Sequence, residues 1–464
     1  MNKKTIFVFG GYLILLLVLI SILGYNCPHR QGAIITGDPV HGYAPLIESE
    51  EVSDWHCALF LHECIILRKV VFYLTGHLIS GIEVLKLLWY VATLCIILAF
   101  LYGTRKAITL GDAYISVPYV LSLLLLFNFK SLILFLCIDY FFIALLLIGI
   151  CISLSICERH SKVLQWILVI LLLLILLHLG QYRRNAAVLL PILIVIAIHG
   201  IYPQLRKTKL YMISFIGSIV LYYGGHSLTR AILPTRYTHP TVMMLTSDLM
   251  VAAGLRGETQ TEKEIIYRTS GIEVIHKGEL FSAGVPVEWN LSYSDENWQA
   301  YMQHYWESWK KHPSSMIGAR ILQFTQFFSY GKSHPIVVKA IESIFPQSLN
   351  KISNTSDKLR KIEIFTASAR LIFYGAAIAI LMYSFRKKRS LTNKHLPPIY
   401  IMLIIMALLY LSSYILITPT GDDRYHAPSI ILLCWAFALF LAQNIQRRLN
   451  RGKTDCRLTQ SNEF

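Results

Sequence analysis

Long apolar runs separated by short polar connections dominate the sequence, and this pattern predicts an all-α polytopic membrane protein. Ten runs are long enough to cross a bilayer as helices, at about 5–24, 80–103, 113–129, 131–156, 163–180, 186–202, 210–229, 366–385, 397–419 and 427–445. The first follows Lys3-Lys4 but is too long for the apolar part of a secretory signal, and no small-x-small cleavage site follows it, so it reads as a retained helix. Arg105-Lys106, Arg159 with Lys162, Arg206-Lys207 with Lys209, Arg386-Lys387-Lys388-Arg389 and Arg447-Arg448 with Arg451 all fall on the side of Lys3-Lys4. The positive-inside rule makes that side cytoplasmic and puts both termini there.

The other side receives a first outer loop at about 25–79, two tight connections near 128–130 and 181–185, a long segment at about 230–365 and a last loop at 421–426. The chain thus divides into an N-terminal membrane part (1–229), a mainly helical outer region (230–365) and C-terminal membrane helices with a tail (366–464). Within the first loop, 54–72 carries too many polar groups for hydrocarbon and reads as an interfacial helix, with Leu59, His62, Glu63 and Leu67 on one side and Phe60, Ile66 and Val70 on another. In the outer region, Ser294-Asp295-Glu296-Asn297 is a helix start, and Lys310-Lys311-His312-Pro313 is its stop.

Composition agrees with this reading: 55% of the 464 residues are hydrophobic and only 15% charged, which excludes an ordinary soluble globular protein. The net charge of +16 comes from short clusters between apolar runs, not from a basic stripe interleaved with aromatics, so no nucleic-acid partner is expected. Most cysteines lie in apolar runs or on the cytoplasmic side; only a bridge from Cys27 to Cys57 or Cys64 would fit the outer compartment.

The polar first loop holds the candidate chemistry. It gathers Asp38, His41, Glu48, Glu50, Glu51, Asp54 and His56 in a chain that is otherwise mostly apolar. Asp38, set in a turn between Gly37 and Pro39 with His41 following, is the candidate general base, and Asp54 and His56 complete the candidate catalytic group. Asp54 is equally suited to capping the helix that follows it. Asp38, His41 and a glutamate together would suit magnesium or manganese. Arg183 and Arg184 sit where the positive-inside rule disfavours them, and a guanidinium binds phosphate in a bidentate fork, so both are candidate phosphate ligands along with Arg424 and Tyr425 of the last outer loop. Trp298, Tyr301, Tyr305, Trp306 and Trp309 recur at near-helical spacing; they suit either an aromatic belt on the membrane surface or a platform for sugar rings formed by Trp298, Tyr305 and Trp309.

Gly37-Asp38 with Asp54-Trp55-His56, Tyr182-Arg183-Arg184-Asn185-Ala186, Trp309-Lys310-Lys311-His312-Pro313 and Asp423-Arg424-Tyr425-His426-Ala427-Pro428 occur in an order and on a common side that resemble the C-type (GT-C) integral-membrane glycosyltransferases of bacteria. The resemblance implies a GT-C-like fold, a polyprenyl-phosphate-linked sugar as donor, a glycan or lipid acceptor such as lipopolysaccharide O-antigen, and an active site on the periplasmic face of the bacterial inner membrane. It matches Asp38 to the loop-one acid and the arginines to the donor phosphate. Glu48-Ser49-Glu50 has the spacing of a paired-acid motif but sits among other acids, which leaves the metal open. Two other functions fit the same layout: an O-antigen polymerase, and a lipid-linked sugar flippase or transporter. Asp139 is nearly the only acid deep in a predicted span, with His178 near a span end, and that scarcity of intramembrane charge disfavours transport.

Overall fold

The computed structural model describes residues 43–52, 57–109, 138–157, 161–233, 242–271, 273–274, 295–328, 335–346, 361–388, 399–417, 426–437, 439–440 and 444. The predicted spans at 5–24 and 113–129 lie outside these residues. Regular secondary structure among the described residues is helical, as the apolar periodicity requires. Among the described residues, three stretches are long and apolar enough to cross a membrane: Ile138–Ile156, Lys162–Tyr182 and Arg184–Ile201, with mean hydropathies of 2.3, 2.7 and 1.9. Shorter apolar helices run over Ile399–Tyr414 and Ala427–Phe437.

The chain enters the described part through a short helix, α1 (Ala44–Ser49), which has a proline in its first turn and closes on Glu50 in the left-handed conformation. A helix forms where one was expected, α2 (Ala58–Thr75), but its faces differ from the expectation. Phe60 is 1% exposed and shares a buried side with Leu61, Cys64 and Ile65, whereas Ile66 and Val70 point outward. Phe60 is drawn inward because its ring packs at 5.1 Å from Phe141 and 5.4 Å from Tyr182. α3 (Gly81–Thr109) opens with a reciprocal capping box: Ser80 N–H donates to the Glu83 carboxylate (2.7 Å) and Glu83 N–H donates to Ser80 Oγ (3.3 Å). α1 lies so close here that a Cβ on Gly81 would sit 2.5 Å from the Ala44 carbonyl oxygen.

α4 (Ile138–Ile156) is the centre of the bundle, packed against α3, α5 (Lys162–Tyr182) and α6 (Leu190–Ile201). Buried residues make up 72% of its apolar span, against 22% for α5, so α4 is the core helix and α5 a flanking one. The polar atoms α4 carries inward are matched: the Tyr140 and Thr93 hydroxyls are 2.8 Å apart, beneath a stacked Trp89 ring. Ser161 caps α5 by accepting from Leu164 N–H (3.3 Å), and α7 (Lys207–Ile232) packs on α5 and α6.

The middle region folds around its own apolar core. α8 (Val242–Arg256) is its axis, surrounded by α9 (Thr259–Ser270), α10 (Asp295–Lys311) and α11 (Pro313–Phe328), with α12 (Pro335–Ile344) on α11. α10 ends at Lys311 as expected, and Pro313 opens the next helix. The core encloses one carboxylate, Asp248, which accepts from the Tyr305 hydroxyl (2.8 Å) and pairs with Arg320; beside it, Gln323 Nε2 donates to Ser247 Oγ (3.0 Å). The bundle is completed by α13 (Lys361–Lys388), α14 (Ile399–Ile417) and the apolar helix Ala427–Phe437 (α15), with Phe142 of α4 stacked on Tyr410 of α14 at 5.7 Å.

Burial pushes the Asp248 carboxyl up to about 6 from its ordinary 3.8, against the opposing pull of Arg320 and the hydrogen bonds from Tyr305, Arg320 and Gln323. Between about pH 4 and 6 the folded region therefore keeps a proton that the unfolded chain has released. The stability this group contributes is full below that window and lost as pH rises through it. Amide exchange over α8 and α11, corrected for intrinsic rates, should show about 1–3 kcal/mol more protection at pH 4.5 than at pH 7 in the parent chain, and a smaller difference in Asp248→Asn. Equal pH dependence in the two proteins would show that Asp248 is not the titrating group.

Candidate functional site

The break between α5 and α6 gathers much of the charge in the bundle. α5 ends at Tyr182, Arg183 is extended (φ −141°, ψ 120°), and Arg184–Val188 forms a 3-10 stretch before Pro191 restarts the helix. One extended residue between two helices sends neighbouring side chains in different directions. Tyr182 reaches α2, Arg183 enters the bundle, and Arg184 is exposed.

Arg183 forms an ion pair with Asp139, a completely buried carboxylate in the first turn of α4. The positive end of the α4 dipole adds to the support for that charge. Both charges act on the buried Tyr410 of α14, whose hydroxyl is 2.9 Å from that of Tyr414. Beside this pair, Glu63 of α2 accepts from the Tyr182 hydroxyl and lies 2.7 Å from His178 Nε2. His178 Nδ1 is 2.7 Å from the Leu174 carbonyl oxygen, so both ring nitrogens face acceptors, an arrangement the imidazolium form satisfies.

A third group lies on α7. Arg184 acts electrostatically on Tyr222 and His226, and Arg230 acts on His226 as well. α7 comes this close because residue 225 is glycine: a Cβ there would sit 2.6 Å from Leu177 and 2.8 Å from the Gln181 amide nitrogen. On α13, Arg370 is 5% exposed and acts on Tyr374, whose hydroxyl lies 3.1 Å from His426 Nδ1.

No protein-family model, curated protein or solved structure matches this chain. The chemistry of the site is carried by its own residues.

Asp38, His41, Asp54, His56, Arg424 and Tyr425 lie outside the described residues. Two of the described loop-one acids, Glu48 and Glu50, have structural partners. Glu48 Oε1 accepts from Gly81 N–H (2.8 Å) at the start of α3, and Glu50 pairs with Lys69 (2.7 Å), so the Glu48-Ser49-Glu50 spacing does not make a joint site. Arg68 ties the same segment down, donating from Nε to the Ile79 carbonyl oxygen (2.8 Å). Of the expected sugar platform, Tyr305 is buried on Asp248, while Trp298 and Trp309 pack against the core of the middle region; the open ring in that row is Trp306, 56% exposed. Tyr301, fully buried with its hydroxyl 2.6 Å from Thr246 Oγ1, belongs to that core rather than to a surface belt. Among the described residues no cluster of three His, Cys, Asp or Glu is arranged to hold a metal ion. Cys57 and Cys64 are free thiols, and Cys27, the partner considered for them, lies outside the described residues; burial pushes the Cys57 thiol up to about 12.

Glu63, His226, Arg230 and Arg370 were not among the sequence-predicted site residues. Asp139 and His178 did stand out as rare ionisable groups in apolar runs, and such groups call for partners. The Asp139–Arg183 pair makes a direct prediction. Removing one member strands the other in the bundle, so Asp139→Ala should cost about 3–5 kcal/mol and lower the unfolding midpoint in detergent, whereas Asp139→Leu combined with Arg183→Leu should regain most of it. If the double variant loses the sum of what Asp139→Leu and Arg183→Leu lose singly, the pair is not coupled.

Proposed function

We propose that this chain is a membrane glycosyltransferase that moves a sugar from a polyprenyl-phosphate donor to an envelope glycan or lipid, working at the Tyr182 end of the bundle. The topology that goes with this function has about ten spans in a bacterial inner membrane, with that end facing the periplasm. One observation carries the proposal: exposed Arg184 stands beside a Glu63–Tyr182–His178 cluster and a buried Asp139–Arg183 pair, at one end of an otherwise apolar bundle. Arg183 is held by Asp139, so the phosphate-binding role falls chiefly to Arg184, with Arg230 nearby and Arg424 from the last loop.

In this mechanism a loop-one carboxylate takes the proton from the acceptor hydroxyl as that oxygen bonds to the sugar's anomeric carbon. The bond from that carbon to the donor phosphate oxygen breaks, and its electron pair leaves with polyprenyl phosphate, whose developing charge Arg184 offsets. Asp38 is the proposed base. Glu63 is better suited to positioning, since both its oxygens already face donors.

The test is transfer of radiolabelled hexose from polyprenyl phosphate to crude envelope glycan by the purified protein in lipid. Asp38→Asn should slow transfer about 100-fold or more, and Arg184→Ala about 10-fold or more, without loss of folded protein. Glu63→Gln should slow it less than Asp38→Asn. Full activity in both Asp38→Asn and Arg184→Ala would remove the site, and growth of preassembled repeats with no monosaccharide transfer would replace the proposal with a polymerase.

A further inference from the structure

A cleft of about 520 Å³ opens between α9 and α10 in the middle region, away from the Asp139–Arg183 and Glu63 groups. Clefts of this size hold small-molecule ligands. On its floor, Glu262, 4% exposed, lies 2.6 Å from His304 Nε2 and 3.6 Å from Arg256 Nη2. Arg256 is itself fixed by Glu258 (2.6 Å) and by Ser315 Oγ (3.0 Å). A buried carboxylate held this way is rigid, and rigid polar groups in a cleft give a ligand defined hydrogen-bonding positions at low entropic cost. At the rim, Gln303 Nε2 donates to Glu307 Oε1 (3.0 Å), and Lys311 Nζ lies 3.4 Å from Glu307.

The lining's chemistry narrows the ligand. Formal charges nearly balance, with Glu258, Glu262 and Glu307 against Arg256 and Lys311 and with His304 and His312 added, so neither a phosphate nor a polycation is favoured. Carboxylate, guanidinium and amide groups each present two polar atoms in one plane, a spacing that matches neighbouring hydroxyls on a sugar ring. Ile265 and Ala300 supply apolar wall for C–H faces. We infer that this cleft binds a short stretch of neutral saccharide and serves as a holding site for the acceptor glycan, an inference that rests on the transferase function proposed above for its link to catalysis but not for the binding itself.

The experiment uses the full chain in nanodiscs and saturation-transfer NMR with neutral tri- and tetrasaccharides released from bacterial surface polysaccharide; inorganic phosphate and a short lysine peptide serve as charge controls. The parent should bind at least one neutral oligosaccharide and neither control. Gln303→Ala and Glu307→Ala change exposed rim residues without touching the Glu262 floor, and together they should weaken binding about tenfold, the worth of about 1.4 kcal/mol in lost hydrogen bonds. Saccharide binding that is equal in parent and double variant overturns the inference, as does absence of binding by any of the oligosaccharides. Release of label from polyprenyl-phosphate hexose into water, measured on the same samples, separates the two proposals. Release with no saccharide binding removes the cleft and leaves the transferase, whereas rim-dependent binding with no release keeps the cleft as a saccharide site and removes the transferase.

Discussion

A charge placed among apolar helices has to be matched there, because desolvating it unpaired costs far more than any one packing contact returns. The Asp139–Arg183 pair meets that constraint, and much of the bundle's end follows from it. To bring Arg183 onto α4, the chain leaves helical geometry for one residue between α5 and α6. That break turns Tyr182 toward Glu63 of α2 and leaves Arg184 exposed. α2 is thereby fixed to α5 by Phe60 packing on Tyr182 as well as by Glu63, and α1 is fixed to α2 and α3 through Arg68 and Gly81. A single buried pair thus bears on where α1 and α2 sit against α3 and α5.

The middle region solves the same problem around an apolar core of its own. Asp248 is enclosed by Tyr305 and Arg320, and Glu262 by His304 and Arg256. The surroundings differ in one respect that bears on function. Asp248 is sealed in the core between α8, α10 and α11, where it can serve only the fold, while Glu262 forms the floor of an open cleft. Two buried carboxylates in one small helical region therefore have different consequences, decided by what stands over each.

Helices were legible in the sequence wherever a single-residue property defines them. The apolar runs at 131–156 and 163–180 contain α4 and fall within α5, Pro313 gave the boundary between α10 and α11, and the more polar run at 54–72 gave the helix α2. Pairing was not legible, because partners such as Glu63 and Tyr182 are 119 residues apart and no periodicity links them. The aromatic row on α10 failed for a related reason. Near-helical spacing places rings on a helix but does not say which side faces α8, and only the contacts reveal that Tyr301 and Tyr305 turn inward while Trp306 stays out.

The same limit explains why rare residues were better guides than clusters. Seven acids and histidines crowd residues 38–56 of the first loop, but Glu48 and Glu50, which are among the described ones, serve to cap α3 and to hold α2. In a solvated loop an acid is inexpensive, so crowding there carries little information about chemistry. Asp139 is nearly alone in an apolar run, and its cost demands a partner, so its presence alone implies a specific contact with a distant basic residue. Weighing each charged residue by the cost of its surroundings, rather than by how many acids lie near it in sequence, points from Asp139 to the α5–α6 break that receives it.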